Sequence, residues 1–177
     1  MVKVVAVIGS KDSGKTSTIE YLISNFKNEG YKVGSVKHVH KPDFTIDIEG
    51  KDTWRYAQAG AKVIVLVASR EVAIIKKGVP KIKLEEMVKN LEEEGLDIIF
   101  IEGFRYITAE RGDIYKIVTA KDEEDLEKIM KDMIPPVVAI TGKVAKINPK
   151  LRNLGVPIID LNIEGNKLIQ IVKNHLI

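Results

Sequence analysis

Residues 2–16 read VKVVAVIGSKDSGKT, an apolar run followed by a polar loop bounded by glycines. The octet Gly9 to Thr16 fits G-x-x-x-x-G-K-[ST], the pattern of a phosphate-binding loop between a strand and a helix. The run before it is β-branched and short, as in a buried strand. The stretch after it carries apolar residues at helical spacing, namely Ile19, Leu22, Ile23 and Phe26. The predicted strand, the octet and the predicted helix therefore follow one another in the order that a phosphate-binding loop requires. This disfavours the alternative that an ordinary glycine turn matches the pattern by chance.

The residue types of the octet suit a nucleoside triphosphate. Gly9 and Gly14 let the backbone curl so that its N–H groups point at phosphate oxygens, and the helix start adds free N–H groups. Lys15 can reach the β- and γ-phosphates, and the Thr16 hydroxyl can ligate Mg²⁺. The predicted nucleotide-binding residues of this segment are Gly9, Ser10, Lys11, Asp12, Ser13, Gly14, Lys15, Thr16 and Ser17.

Composition bounds the class of protein. The 177 residues, 45% hydrophobic and 30% charged, predict a single nucleotide-binding domain over 1–177 with a sizeable core. A net charge of only +3 does not call for nucleic acid, and the absence of cysteine excludes disulfides and thiolate sites. A strand at the N-terminus leaves no room for a signal peptide, and no apolar run approaches the roughly 20 residues that span a bilayer. We therefore expect a cytoplasmic protein with no membrane partner.

The spacing of apolar runs predicts a three-layer α/β fold of the phosphate-loop NTPase type. Two apolar runs, 62–68 and 71–76, are joined by so short a connection that they predict an antiparallel hairpin, which would make a mostly parallel sheet mixed. Asp122 is expected to begin a solvated helix over 121–132. The other predicted strands are 2–8, 33–39, 96–101, 115–120, 137–140 and 156–159. The other predicted helices are 17–28, 53–59, 82–94 and 164–176, with a polar connection over 141–153.

Lys37, His38 and His40 lie at the carboxyl end of the second predicted strand, the end that faces the ligand crevice of an open parallel sheet. Lys37 and His38 are expected near the phosphates if this strand neighbours the first one. The two histidines share one face of the strand, a spacing that metal sites use. Because no third or fourth ligand can be named, we favour a role beside the phosphates or in the switch loop for Lys37 and His38.

Two carboxylates are candidates for Mg²⁺ or for the attacking water. Glu102 follows the buried run 96–101, where phosphate-loop proteins need a carboxylate, although a cap or an ion pair would explain it as well. Asp47 lies in the loop 41–51, where switch segments occur. Asp52 in the same region has a simpler explanation as the N-cap of the short helix.

No N-K-x-D segment, which would read a guanine base, occurs in the chain. The tetrapeptides T-A-K-D (119–122) and T-G-K-V (141–144) follow strands late in the chain, but neither fits. The residues alone therefore do not decide whether the protein selects guanine or adenine.

The motifs taken together resemble the molybdopterin-guanine dinucleotide biosynthesis protein B (MobB) family. They are the octet, K-H-V-H (37–40), the loop with Asp47, G-K-D-T (50–53), A-G-A (59–61) and I-E-G-F (101–104). The resemblance implies a homodimer that binds GTP with Mg²⁺ and hydrolyses it slowly at most. It implies an accessory role in attaching GMP to molybdopterin, with the guanylyltransferase as partner. By position, Thr16, Asp47 and Glu102 would serve the metal; Lys15, Asp47 and Glu102 would be the catalytic residues; and Lys37 and His38 would line the crevice.

Two alternatives remain at this point. A small-molecule kinase that uses ATP would need a lid with several arginines, whereas Arg55, Arg70, Arg105, Arg111 and Arg152 are scattered. A nucleotide-gated adaptor without meaningful turnover cannot be separated from a slow GTPase by sequence.

Overall fold

The computed structural model describes residues 2–78, 83–147 and 155–176. Strands and helices alternate along most of these residues. The strands are β1 (Lys3–Gly9), β2 (Val33–Lys37), β3 (Val63–Val67), β4 (Val72–Lys76), β5 (Ile98–Glu102), β6 (Tyr115–Ala120) and β7 (Val137–Gly142). The helices are α1 (Lys15–Asn28), α2 (Asp52–Gln58), α3 (Leu84–Glu92), α4 (Arg105–Thr108), α5 (Glu123–Met130), α6 (Val144–Ile147) and α7 (Leu161–Leu176).

Five strands form a parallel sheet in the order β2-β5-β1-β6-β7. β1 lies at its centre and pairs in parallel with β5 and β6, so its apolar residues are covered on both faces. All five carboxyl ends point to one edge. The loop after β1 therefore lies between the ends of β5 and β6.

Helices cover both faces of this sheet, because alternate side chains of each strand point to opposite sides. Val5 and Val7 pack with apolar residues of α1 and α7, whereas Ala6 and Ile8 pack with those of α3, α5 and α6. The three-layer, mostly parallel α/β class is therefore confirmed.

The hairpin pairs β3 with β4 antiparallel, as predicted, but in a two-stranded sheet of its own. The expectation that it would make the large sheet mixed was wrong. Contacts divide the chain into two compact units, Met1–His38 with Leu84–Ile177, and Val39–Lys83. The single domain over 1–177 stays a prediction.

Several boundaries differ from the sequence expectation. Lys51, not Asp52, is the N-cap of α2, and Asp52 is its first residue. Asp122 does cap α5, since its side chain accepts a hydrogen bond from the Asp125 amide at 2.9 Å. The predicted last strand is reduced to one bridge between Ile140 and Ile158.

Two short helices, α4 and α6, were not predicted. Each has only four residues, too few to show a helical period. The predicted polar connection 141–153 contains α6, and its residues 148–153 lie outside the described residues. Of the helices within the described ranges, none has the length and apolar character to cross a membrane.

Candidate functional site

The loop after β1 curls tightly around the carboxyl edge of the sheet. Two of its residues have left-handed backbone, Asp12 with φ 61° and Gly14 with φ 110°. The buried Ser13 hydroxyl donates to the carbonyl of Ser10 at 2.9 Å and closes the curl. The octet therefore has the concave backbone that the pattern predicts.

The loop is held from the β6 side by close contacts. The hydroxyls of Ser13 and Thr119 lie 2.6 Å apart, and Ser10 Oγ donates to Asp125 Oδ2 at 2.6 Å. A Cβ at Gly9 would lie 2.1 Å from Thr119 Oγ1 and 2.3 Å from its carbonyl oxygen. Gly9 is therefore required because β1 and β6 approach too closely for a side chain.

A depression of about 450 Å³ opens above the loop. The Lys15 ammonium donates to the carbonyl of Ser10 at 2.5 Å and has no carboxylate partner among the described ion pairs. Burial lowers the pKa of Lys15, and the nearby Glu102 charge opposes that shift. The depression is lined by Lys11, Asp12, Gly14, Lys15, Thr16, Ser17, Glu102 and Lys143. Its three lysines and the start of α1 favour an anionic ligand.

Glu102 lies at the end of β5, directly beside the loop. Its side chain is only 13% exposed, and Oε1 lies 3.2 Å from the Lys37 ammonium. Thr16 Oγ1 donates to Oε2 at 3.3 Å. The loop threonine, the strand-end carboxylate and Lys37 thus form one cluster.

Lys37 reaches this cluster by a different route from the one expected. β2 pairs with β5 rather than with β1, and Lys37 lies in register with Glu102. The expectation for Lys37 and His38 was conditional on the second strand neighbouring the first, and that condition is not met. Lys37 nevertheless lies near the loop, because the intervening β5 is a single strand whose end carries the shared carboxylate.

His38 follows β2 at the same edge. Its amide donates to the Glu102 carbonyl at 2.9 Å, and its ring centroid lies 4.6 Å from that of Phe104. Gly103 has φ +90°, and a Cβ there would lie 3.1 Å from the His38 Cβ. The E-G-F segment therefore packs against His38, and the small residue at its centre permits the approach.

Asp47 belongs to the Val39–Lys83 unit. Its side chain is 2% exposed, accepts a hydrogen bond from Thr53 Oγ1 at 2.7 Å, and lies 3.4 Å from the Lys77 ammonium. The hydrogen bond from Thr53, together with the nearby Lys77 ammonium, holds the pKa of the Asp47 carboxyl below its usual value, although burial opposes this. The carboxylate is thus engaged inside its own unit, and its service to a metal stays a prediction.

The cluster at Thr16 and Glu102 fits Mg²⁺. The described residues contain no group of three or more His, Cys, Asp or Glu side chains that could hold a metal by themselves. Mg²⁺ does not need such a cage, because it is commonly bound by one or two protein oxygens together with phosphates and waters. A threonine hydroxyl and a carboxylate 3.3 Å apart are ligands of the right hardness.

Sequence reasoning missed the residues that support the loop from β6 and β7. Thr119 and Asp125 bond the loop serines, and the Lys143 amide donates to the Ser13 carbonyl at 3.3 Å. Thr119 and Lys143 belong to T-A-K-D and T-G-K-V, which run over the ends of β6 and β7 at the same sheet edge. As sequence, the two segments indicate only a possible base-reading role, and Asp125 lies in a charged stretch that is typical of a solvated helix face.

The chain is similar in sequence to proteins of one family. The sequence profile of the family described as "Molybdopterin guanine dinucleotide synthesis protein B" matches residues 4–142. A putative molybdopterin-guanine dinucleotide biosynthesis adapter protein of Methanocaldococcus jannaschii is 35% identical over 127 residues, which cover 72% of this chain and 51% of that protein. The Escherichia coli adapter protein is 26% identical over 170 residues, which cover 93% and 89%. The chain thus spans about half of the archaeal protein and most of the bacterial one.

Solved structures show the same fold. The crystal structure of Bacillus subtilis MobB has a TM-score of 0.75 at 24% identity, covering 97% of this chain and 96% of that one. A MobB homologue from Bacillus stearothermophilus has a TM-score of 0.69 at 22% identity, covering 98% and 97%.

Proposed function

This chain belongs to the MobB family, and from that premise we propose that it is a GTP-binding adapter protein in molybdenum cofactor biosynthesis. It would act in the formation of molybdopterin guanine dinucleotide, the process after which its relatives are named. The partner proposed on the same ground is the guanylyltransferase that joins GMP to molybdopterin.

The observation that carries the proposal is the position of Lys15 and Thr16 on a curled loop that faces Glu102. Loop amides can donate to phosphate oxygens, and the Lys15 ammonium can exchange the Ser10 carbonyl for the β- and γ-phosphates. Lys37 and Lys143 add positive charge at the two sides, which favours a triphosphate over less charged ligands.

Mg²⁺ would be held by the Thr16 hydroxyl, directly or through water by Glu102, and by phosphate oxygens. It would neutralise charge that develops on the β- and γ-phosphates. Asp47 is the third proposed metal or water ligand, which would require its carboxylate to leave Lys77. The ion pair with Lys37 already orients Glu102 toward Thr16, so a bound cation would meet an arranged carboxylate.

Hydrolysis is proposed to be slow. Water would attack the γ-phosphorus and the bond to the β–γ bridging oxygen would break, leaving GDP and phosphate. Glu102 is already shared between Thr16 and Lys37, which suits orientation of ligands better than removal of a proton from water. An adaptor with negligible turnover is compatible with the same geometry.

The hairpin offers a surface for the proposed homodimer. Val63, Val65 and Val67 lie on one face of β3, and Val72 and Ile74 lie opposite Val67 and Val65 on β4. All five are more than half exposed, from 55% to 73%. A contiguous apolar face of this kind is typical of an interaction site.

The proposal is tested by titrating the protein with GTP, GDP and ATP in the presence and absence of Mg²⁺. Lys15→Ala should abolish binding, whereas Lys27→Ala, an exposed lysine in the last turn of the same helix, should not change it. Unchanged binding in Lys15→Ala would refute the loop assignment. ATP binding as tight as GTP binding would refute guanine selectivity, and a phosphorylated small molecule formed from ATP would favour a kinase.

The adapter role has a separate test. The protein should co-purify with the molybdopterin guanylyltransferase of the same organism, more strongly in one nucleotide state than in the others. Failure to associate in the GTP-bound, GDP-bound and nucleotide-free states would count against it.

A further inference from the structure

A second depression, of about 270 Å³, lies beside the phosphate loop on the side of β7 and α7. It shares Gly14, Ser17 and Lys143 with the depression above the loop. A ligand held by its phosphates could therefore extend from one depression into the other without leaving the protein surface.

The floor between the two depressions is formed by close backbone contact. A Cβ at Gly14 would lie 3.3 Å from the Gly142 Cα, and a Cβ at Gly142 would lie 2.3 Å from the Ser13 carbonyl oxygen. Gly142 also has φ +94°. The loop thus rests directly on the end of β7, and side chains after β7 lie beside it.

A buried hydroxyl in this second depression has no partner. Thr141 lines it and is 1% exposed, and Thr141 Oγ1 makes no hydrogen bond among the described residues. Burial of a hydroxyl without a partner is costly, so such a group points to a ligand or an ordered water that completes it.

A carboxylate stands at the other wall. Asp160 lines the depression immediately before α7, and its Oδ1 accepts a hydrogen bond from the Asn162 amide at 2.9 Å. A carboxylate has about four acceptor positions, so this capping contact uses only one of them. The remaining positions can receive N–H groups of a ligand.

We propose that this second depression takes the purine base of the nucleotide and that Asp160 reads guanine. Guanine presents N1–H and its 2-amino group side by side, and one carboxylate can accept from both. Adenine presents a ring-nitrogen lone pair at that place, which a carboxylate repels. The inference rests on the proposed function, since it names the base-reading part of the same nucleotide site.

Lys143 connects the proposed base site with the phosphate site. It lines both depressions, and its amide is bonded to the Ser13 carbonyl at 3.3 Å. Its hydrocarbon stem can lie along the base while its ammonium stays near the phosphates. The segment T-G-K-V thus supplies a hydroxyl and a lysine, while the acceptor comes from Asp160, further along the chain.

The decisive variant is Asp160→Asn, measured with GDP, xanthosine diphosphate (XDP) and ADP. Asparagine keeps the helix cap but replaces one acceptor by an NH₂ donor, which suits the 2-oxo group of xanthine. GDP affinity should fall and XDP affinity should rise, each by at least about tenfold. Asp122→Asn, the same change at the capping aspartate of α5, should alter neither affinity.

The outcomes separate this inference from the proposed function. If wild-type protein binds no nucleotide, or binds it independently of Lys15, the proposed function fails. If nucleotide binding depends on Lys15 but Asp160→Asn leaves GDP and XDP unchanged, or weakens both equally, the base assignment is overturned. Wild-type protein that binds ADP as tightly as GDP would overturn it as well.

Thr141→Val gives an independent readout. Valine matches threonine in shape and removes the unpartnered hydroxyl, so the nucleotide-free protein should melt at a higher temperature. The affinity for GDP should fall, because the bound ligand loses a partner. If Thr141 had only a structural role, its replacement would not raise the melting temperature while lowering the GDP affinity. A lowered melting temperature with unchanged GDP affinity would contradict the assignment.

Discussion

The Lys37 ammonium lies 3.2 Å from Oε1 of Glu102, on neighbouring strands whose carboxyl ends meet beside the loop that follows β1. The other carboxylate oxygen accepts from the Thr16 hydroxyl at 3.3 Å. One acidic side chain therefore links the second strand to the proposed metal-binding threonine. This arrangement defines what each partner should contribute to nucleotide binding.

Glu102→Gln should weaken the effect of Mg²⁺ on nucleotide affinity. The amide keeps the size of the side chain but removes the negative charge that attracts a cation. The factor by which Mg²⁺ raises GTP affinity should therefore be roughly tenfold smaller than in wild type. The ratio of GTP dissociation constants with and without Mg²⁺ measures this. Glu20→Gln is the matched control, because it makes the same change at an exposed glutamate of α1 and should preserve the Mg²⁺ effect. An unchanged ratio in Glu102→Gln would exclude a metal role.

Lys15 should make nucleotide affinity sensitive to alkaline pH. Burial lowers the pKa of its ammonium in the folded protein, so the charge is lost at a pH below the usual value of 10.5. Phosphates favour the charged form, and GTP affinity should therefore fall as pH rises through the lowered pKa. Lys15→Arg keeps its charge throughout and should flatten this decline. The same slope in Lys15→Arg would assign the pH dependence to another group.

Gly9→Ala should destabilise the fold. The new Cβ would lie 2.1 Å and 2.3 Å from two oxygens of Thr119, one of them backbone, so β1 and β6 must separate. We expect a loss of about 1–3 kcal/mol in the free energy of unfolding, measured by urea denaturation. Gly112→Ala is the control, because a Cβ there would meet only the Pro135 carbonyl oxygen at 3.9 Å. Equal effects of the two changes would show that the contact at Gly9 is relaxed.

Asp47 should stabilise its unit above acidic pH. Its pKa is held low by Thr53 and then Lys77, so the stabilisation is present above the ordinary value of 3.8 and is lost as pH falls through the lowered pKa. At pH 7, hydrogen exchange of the amides in 39–78 should be faster in Asp47→Asn than in wild type. Asp43→Asn, at an exposed aspartate of the same loop, serves as control. If Asp47→Asn changes only the Mg²⁺ dependence of GTP binding, the carboxylate acts on the metal instead.

The hairpin face should carry the dimer contact. Val65 and Ile74 lie opposite each other on β3 and β4 and are 56% and 60% exposed. Replacing both with lysine should convert a dimer to a monomer in light scattering, since two charges would enter an apolar contact. Ser69→Lys, at the exposed hairpin turn, adds the same charge and should leave the mass unchanged. A dimer that survives the double change would place its interface elsewhere.

Local patterns were enough to predict the elements with long apolar periods. The octet, the central strand and the helix that begins at Lys15 were recognisable because their spacing is local and their glycines have a local cause. The four-residue helices were not, since so few residues carry no period, and of the strand predicted over 156–159 only the bridge at Ile158 forms. Lys37 lies near the loop although its strand does not neighbour the first one, because either strand order brings its end to the same sheet edge.

The sequence by itself determined that the glycine-bounded octet Gly9 to Thr16 follows a buried strand and that a carboxylate ends another. It also carried the combination of motifs by which the family was recognised. Only the tertiary structure decided which side chains meet there: Glu102 with Thr16 and Lys37, Ser10 with Asp125, and the loop with the end of β7. The physical reason is that these pairs are separated by tens of residues or more, so their contact depends on strand order and register rather than on local spacing.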